Sequence, residues 1–126
     1  MNAAGALAVG VGAALGAWLR WALGVGLNAV LPQLPLGTLA ANLIGGYLIG
    51  VAVALFEANG HLAPELRLFV VTGFLGGLTT FSAFSGEAVA LLMSERWGWA
   101  VMHIGSHLVG SIALTILGIL TVRALT

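Results

Sequence analysis

Gly73-Phe74-Leu75-Gly76-Gly77-Leu78-Thr79-Thr80-Phe81-Ser82-Ala83-Phe84-Ser85-Gly86-Glu87 lies in the middle of an apolar run from about Pro64 to Met93. A straight helix over that run is about 45 Å long at about 1.5 Å per residue, whereas the hydrocarbon core of a bilayer is about 30 Å thick. The run must therefore bend or break. Gly73, Gly76 and Gly77 each cost about 1 kcal/mol relative to alanine in a helix, and they stand just before two threonines. A break near 76–80 is expected. At membrane depth it is tolerated only inside protein or beside a cavity, where freed carbonyls suit a cation and freed N–H groups suit an anion. An intact helix whose small residues serve packing is the alternative.

Outward from this segment, three more stretches are long enough to span a bilayer, at 3–31, 36–56 and 97–122, beside the broken one at 64–93. The first is interrupted only by Arg20, flanked by Trp18 and Trp21 as interfacial anchors. The second carries Asn42, and the fourth carries His103, Ser106, His107, Ser111 and Thr115. Pro32, Pro35 and Pro64 all fall between runs or at the start of one, where a missing N–H costs little. With no linker between the runs, the expected fold is a single all-α integral membrane domain over 1–126 with four transmembrane helices. Gly12-x-x-x-Gly16 and Gly46-x-x-x-Gly50 are candidate close-packing pairs.

Composition agrees. Of 126 residues, 60% are apolar and only 6% charged, against about 25% charged in a soluble domain. The mean hydropathy is +1.12. Four arginines balance four glutamates, with no Lys or Asp, so no basic patch for nucleic acid exists. Cysteine is absent, which excludes disulfides and thiolate sites. Residues 1–19 hold no charge, so the first segment lacks the basic start of a secretory signal and is expected to be retained. Arg67 and Arg123 fall on the side of the termini, Arg96 and Arg20 on the other. Such a balance leaves the positive-inside rule without a preference. Either other features set the orientation, or the chain inserts both ways and pairs antiparallel with itself in a closed two-fold dimer.

Polar groups inside a bilayer are costly and mark function by default. Phe81 and Phe84 share a helix face, and ring edges are electropositive enough to meet a small anion without a full countercharge. The commoner fate of such a pair is packing or lipid contact. His103, His107, Ser111 and Thr115 recur every four residues as one polar stripe, a candidate wetted path. The i, i+4 histidines also permit a metal site, although no Glu follows the first His and no third ligand is evident. Ser106 is placed to bond its own i−4 carbonyl. Arg20 either snorkels or stands in a vestibule that concentrates anions, with Glu87 as its partner or as another wall.

Three blocks, Gly-Ala-Trp-Leu-Arg at 16–20, Ala-Asn-Leu-Ile-Gly-Gly-Tyr-Leu-Ile-Gly at 41–50 and Gly-Phe-Leu-Gly-Gly-Leu-Thr-Thr-Phe-Ser-Ala-Phe-Ser at 73–85, resemble the CrcB/Fluc fluoride channels, and the resemblance covers essentially the whole chain. It implies an antiparallel, dual-topology homodimer in the inner (plasma) membrane that passively exports cytoplasmic fluoride through two pores. Under it Asn42 orients toward the anion path, Phe81 and Phe84 are the pore-lining rings, and Ser111 and Thr115 are the polar track. Arg20 is the vestibule arginine. Backbone carbonyls of Gly76 and Thr79 from both subunits surround a structural Na+. The expected partners are fluoride, a second copy and lipid. Replacing Asn42, Phe81 or Phe84 should then alter permeation and leave folding intact. At 103 and 107 the family pattern calls for hydroxyl-bearing residues, whereas this chain has His103 and His107. As imidazoles they can become cationic below about pH 6.5.

The competing reading is a small multidrug-resistance-type proton-coupled exporter of similar size. That family needs a glutamate in its first helix, and here the first acidic residue is Glu57. A non-transporting scaffold subunit leaves the polar cluster unexplained. Catalysis is not expected, because no Gly-x-Ser-x-Gly elbow, Asp pair or three-ligand metal set is present in the sequence.

Overall fold

The computed structural model describes residues Met1–Thr126, and every regular element in it is helical. Helix α1, Ala3–Leu27, begins where the Asn2 side chain accepts the Gly5 N–H at 2.8 Å, a standard N-cap. It ends four residues before the expected Leu31. The reason is Asn28, whose Oδ1 turns outward to accept the N–H groups of Gly37 at 2.7 Å and Thr38 at 3.2 Å. Those are orphan donors at the start of α2, Leu36–Ala58, whose own N-cap residue Pro35 offers no side-chain bond. One asparagine thus stops one helix and starts the next.

The third run divides. Helix α3 covers 64–78, with Pro64 in the first turn and a π-helical stretch, Leu68–Leu75, between α-helical ends at Pro64–Arg67 and Gly76–Leu78. Thr79 and Thr80 are extended, at φ −87°, ψ 158° and φ −153°, ψ 121°. Helix α4, Phe81–Met93, then restarts under the Thr80 hydroxyl, which accepts the Ala83 N–H at 3.0 Å. After a reversal in which Glu95 adopts φ 57°, helix α5 runs over Trp97–Leu125, three residues beyond the expected end at Val122. Four spans, Ala3–Leu27, Leu36–Ala58, Pro64–Met93 and Trp97–Leu125, are long and apolar enough to cross a membrane.

Packing follows the small residues. Helix α1 lies chiefly on α3, and α2 chiefly on α5. A Cβ on Gly16 would stand 2.1 Å from the Phe74 carbonyl oxygen, and one on Gly50 2.1 Å from that of Thr115, so both glycine pairs mark contacts within one chain. Between the pairs sit Ala41, Leu75 and Leu78, the buried apolar cluster against which Leu23, Leu48 and Phe74 pack. Only 24 of 126 residues are buried, and long side chains such as Leu7, Trp18, Trp21, Val101 and Ile112 stand outward. Apolar groups on the outside are what a lipid-facing bundle presents, and they leave the protomer with a thin core of its own.

Candidate functional site

The break between α3 and α4 leaves polar backbone at membrane depth, and Asn42 on α2 binds it. Its Oδ1 accepts the Thr80 N–H at 2.8 Å and its Nδ2 donates to the Thr80 carbonyl at 3.0 Å, so the side-chain amide stands in for a neighbouring peptide group. In an unbroken helix the Thr80 N–H would belong to the Gly76 carbonyl and the Ala83 N–H to the Thr79 carbonyl. Both donors are committed to side chains, Asn42 and Thr80, so the carbonyls of Gly76 and Thr79 lose their helical partners. The Gly77 carbonyl is claimed instead by Arg20, whose Nε donates to it at 3.1 Å. Arg20 therefore binds backbone and makes no ion pair with Glu87. It sits at the carboxyl end of α3, where a cation is favoured by the helix dipole.

A cavity of about 470 Å³ opens beside the break. Its wall holds Asn42, Gly76, Thr79, Phe81, Phe84, His107, Ser111 and Thr115, without one formally charged side chain. The two phenylalanine rings lie 5.4 Å apart and tilted by 53°. Phe81 is 73% exposed, whereas Phe84 is buried against both histidines, 5.1 Å from the His103 ring and 4.7 Å from the His107 ring. On α5, Thr115 Oγ1 donates within reach of the Gly46 carbonyl at 2.8 Å and the Ser111 carbonyl at 2.9 Å. Ser106 bonds back to the Met102 carbonyl at 2.6 Å and takes no part.

The stripe on α5 is not uniform. His107, Ser111 and Thr115 line the cavity, but His103 does not and is fully buried. Its ring packs between Phe84 and His107, with Nε2 at 3.2 Å from the Phe84 carbonyl and 3.7 Å from Glu87 Oε1. His103, which its spacing puts on the same stripe as His107, thus lies outside this cavity, with the Phe84 ring stacked on it. Glu87 belongs to a second cavity of about 390 Å³, shared with Arg20, Asn28, Thr38 and Thr80. There Glu87 Oε2 accepts the Thr38 hydroxyl at 2.7 Å. Thr80 lines both cavities and His103 lines neither.

Glu87 also supplies a third candidate ligand that the α5 spacing could not disclose. One donor atom from each of Glu87, His103 and His107 lies within 4.8 Å of the others. Asn42 Nδ2 already occupies His107 Nδ1 at 3.0 Å, and the Phe84 carbonyl engages His103 Nε2. Glu87 Oε1, His103 Nδ1 and His107 Nε2 remain without partners. Sequence reasoning missed Thr38 as the partner of Glu87, Thr80 as a cap, and Asn28 as the joint between helices. Only the last two had a local signal, a threonine after a glycine-weakened stretch at Thr80 and an asparagine four residues before Pro32 at Asn28.

A family model described as "CrcB-like protein, Camphor Resistance (CrcB)" matches residues 7–119. Among similar proteins, one from Ralstonia pickettii (strain 12J) named "Fluoride-specific ion channel FluC" is 65% identical over 123 residues, covering 98% of each chain. Proteins of the same name from Nitrosospira multiformis and Cupriavidus metallidurans are 62% and 60% identical, over 92% and 99% of this chain and 91% and 99% of theirs.

Proposed function

The chain belongs to the CrcB family, and from that premise we propose that it is a fluoride-specific ion channel and not an enzyme. The observation that carries the proposal is the uncharged cavity at the helix break, which Phe81 and Phe84 line together with Ser111 and Thr115 of the hydroxyl-bearing stripe of α5. An ion conducts only where binding is strong enough to admit it and weak enough to release it. Neutral donors and ring edges meet that condition better than a buried arginine, and here Arg20 is held outside this cavity, in the second one. Fluoride concentrated near Arg20 would pass Thr80 and the rings to reach Ser111 and Thr115.

The working unit in this reading is an antiparallel homodimer with two pores, inserted in both orientations in the inner membrane. Its supports are the even arginine count, the thin core of one protomer and the apolar faces left outward. A Na+ ion at the dimer centre belongs to the same proposal. The carbonyls of Gly76 and Thr79, deprived of helical donors, are hard neutral oxygens of the kind that suits a monovalent cation, and with no Asp in the chain a divalent ion lacks its preferred carboxylates. The exporter reading loses its ground, since α1 carries no carboxylate and the relatives are named channels.

Purified protein in liposomes loaded with potassium fluoride should release fluoride to an ion-selective electrode on addition of a potassium ionophore, with chloride retained. Equal release of both ions, or of neither, refutes the function. Labelling of a terminal tag from both faces of intact cells checks the topology, and one-sided labelling refutes the antiparallel dimer.

A further inference from the structure

Asn42 fixes more than the backbone. Its amide cannot be turned over, because rotation would set oxygen against the Thr80 carbonyl and N–H against the Thr80 N–H, replacing two bonds of 3.0 Å and 2.8 Å with two repulsions. Nδ2 has two hydrogens, and one goes to Thr80. The other faces His107 Nδ1 at 3.0 Å. A donor on one side requires a lone pair on the other, so Nδ1 of His107 is unprotonated and the ring's single hydrogen resides on Nε2. Adding a proton at Nδ1 would oppose N–H to N–H at this distance.

Nε2 of His107 is buried and has no partner within the protein, although the residue lines the cavity with Phe81 and Phe84. An unpaired buried N–H is costly unless something arrives to accept it. We propose that His107 is a hydrogen-bond donor to the permeating anion through Nε2–H, and that Asn42 is the positioning residue that sets this tautomer. The proposal rests on the fluoride-channel reading and deepens it. Both N–H groups of Asn42 are committed, to Thr80 and to His107, so its effect on the anion passes through the imidazole instead of by contact. A neutral N–H beside ring edges gives a small, strongly accepting anion a partner without a countercharge to hold it back.

The same tautomer decides against a divalent metal among Glu87, His103 and His107. Such an ion needs a lone pair from each imidazole. His107 has Nδ1 covered by Asn42 and a hydrogen on Nε2, so it offers none.

The test joins spectroscopy to flux on one preparation. With ring-15N histidine, the chain gives three imidazole spin systems, and His61→Gln removes the one outside the cluster. In bilayers, His107 should show a pyridine-like Nδ1 and a pyrrole-like Nε2, and the Nε2–H signal should move on adding fluoride but not chloride. In parallel, His107→Met, which has no donor, should lower fluoride efflux about tenfold, the weight of one hydrogen bond to a charged acceptor. His107→Gln, which can accept from Asn42 and donate onward, should restore flux relative to His107→Met. A hydrogen found on Nδ1 overturns the proposal. So does an Nε2–H signal indifferent to fluoride in liposomes that conduct it, or a His107→Met channel that matches the parent. If the parent itself conducts no fluoride, the channel reading fails, and the NMR arm still reports whether Asn42 sets the tautomer.

Discussion

Replacing Asn42 by leucine isolates the joint that holds the broken span together. Leucine has nearly the same bulk, so no cavity opens, yet it removes the acceptor of the Thr80 N–H, the donor to the Thr80 carbonyl and the donor to His107 Nδ1. Two backbone groups then stand unpaired in the break, each costing about 1–3 kcal/mol where water is scarce. Thr80 is only half-buried, and water from the two cavities it borders relieves part of this, so we expect a loss of about 2–4 kcal/mol. Thr80→Ala provides the internal scale. It deletes the cap on Ala83 and should cost about 1 kcal/mol. Equilibrium unfolding in mixed micelles with increasing dodecyl sulfate, followed by helical circular dichroism, measures both. Should Asn42→Leu lose no more than Thr80→Ala, the amide is not stapling the break. A loss of the expected size would overturn the expectation from sequence that Asn42 can be exchanged without harm to the fold.

Phe81→Ile should fold as the parent does, since Phe81 is 73% exposed, while fluoride efflux drops severalfold for want of the ring edge; Phe84→Ile should lose both flux and the stacking that orders His103. If both variants conduct like the parent, ring edges do not meet the anion. Gly16→Ala and Gly50→Ala each drive a methyl to 2.1 Å from a carbonyl oxygen and force the helices apart by roughly 1 Å, at about 1–3 kcal/mol, whereas Gly10→Ala meets nothing within 4 Å and should be neutral or stabilising in the same unfolding titration.

What a single sequence can disclose is local. Glycine spacing located the weak point of the third run at 76–80, and the chain is extended at Thr79 and Thr80, because helix propensity is a property of neighbours along the chain. Ser106 was legible for the same reason, its partner being four residues away. Asn42 and Thr80 are separated by 38 positions, and Thr38 and Glu87 by 49, so their bonds exist only once α2 and α4 are packed. His103 shows the limit from the other direction. Periodicity assigned it to the same face as His107, which is correct for α5 taken alone, but which part of that face meets a cavity depends on where Phe84 sits. The π-helical turns of Leu68–Leu75 had no signature we can identify in residue type.

The division of the third run bears on how the chain reaches the membrane. The segment 64–78 is about 22 Å long and Phe81–Met93 about 20 Å, both short of the hydrocarbon thickness of about 30 Å. Neither half is a span by itself, and between them lie backbone groups that lipid cannot satisfy. The donor that satisfies them, Asn42, belongs to a helix synthesised earlier. During translation the first half therefore has no stable depth until the second emerges, and the pair has none until it meets α2. Insertion of this region is a tertiary event, completed after about residue 93 has left the ribosome, and an arrest peptide fused at successive positions should register a pulling force late, only when α4 is available to dock.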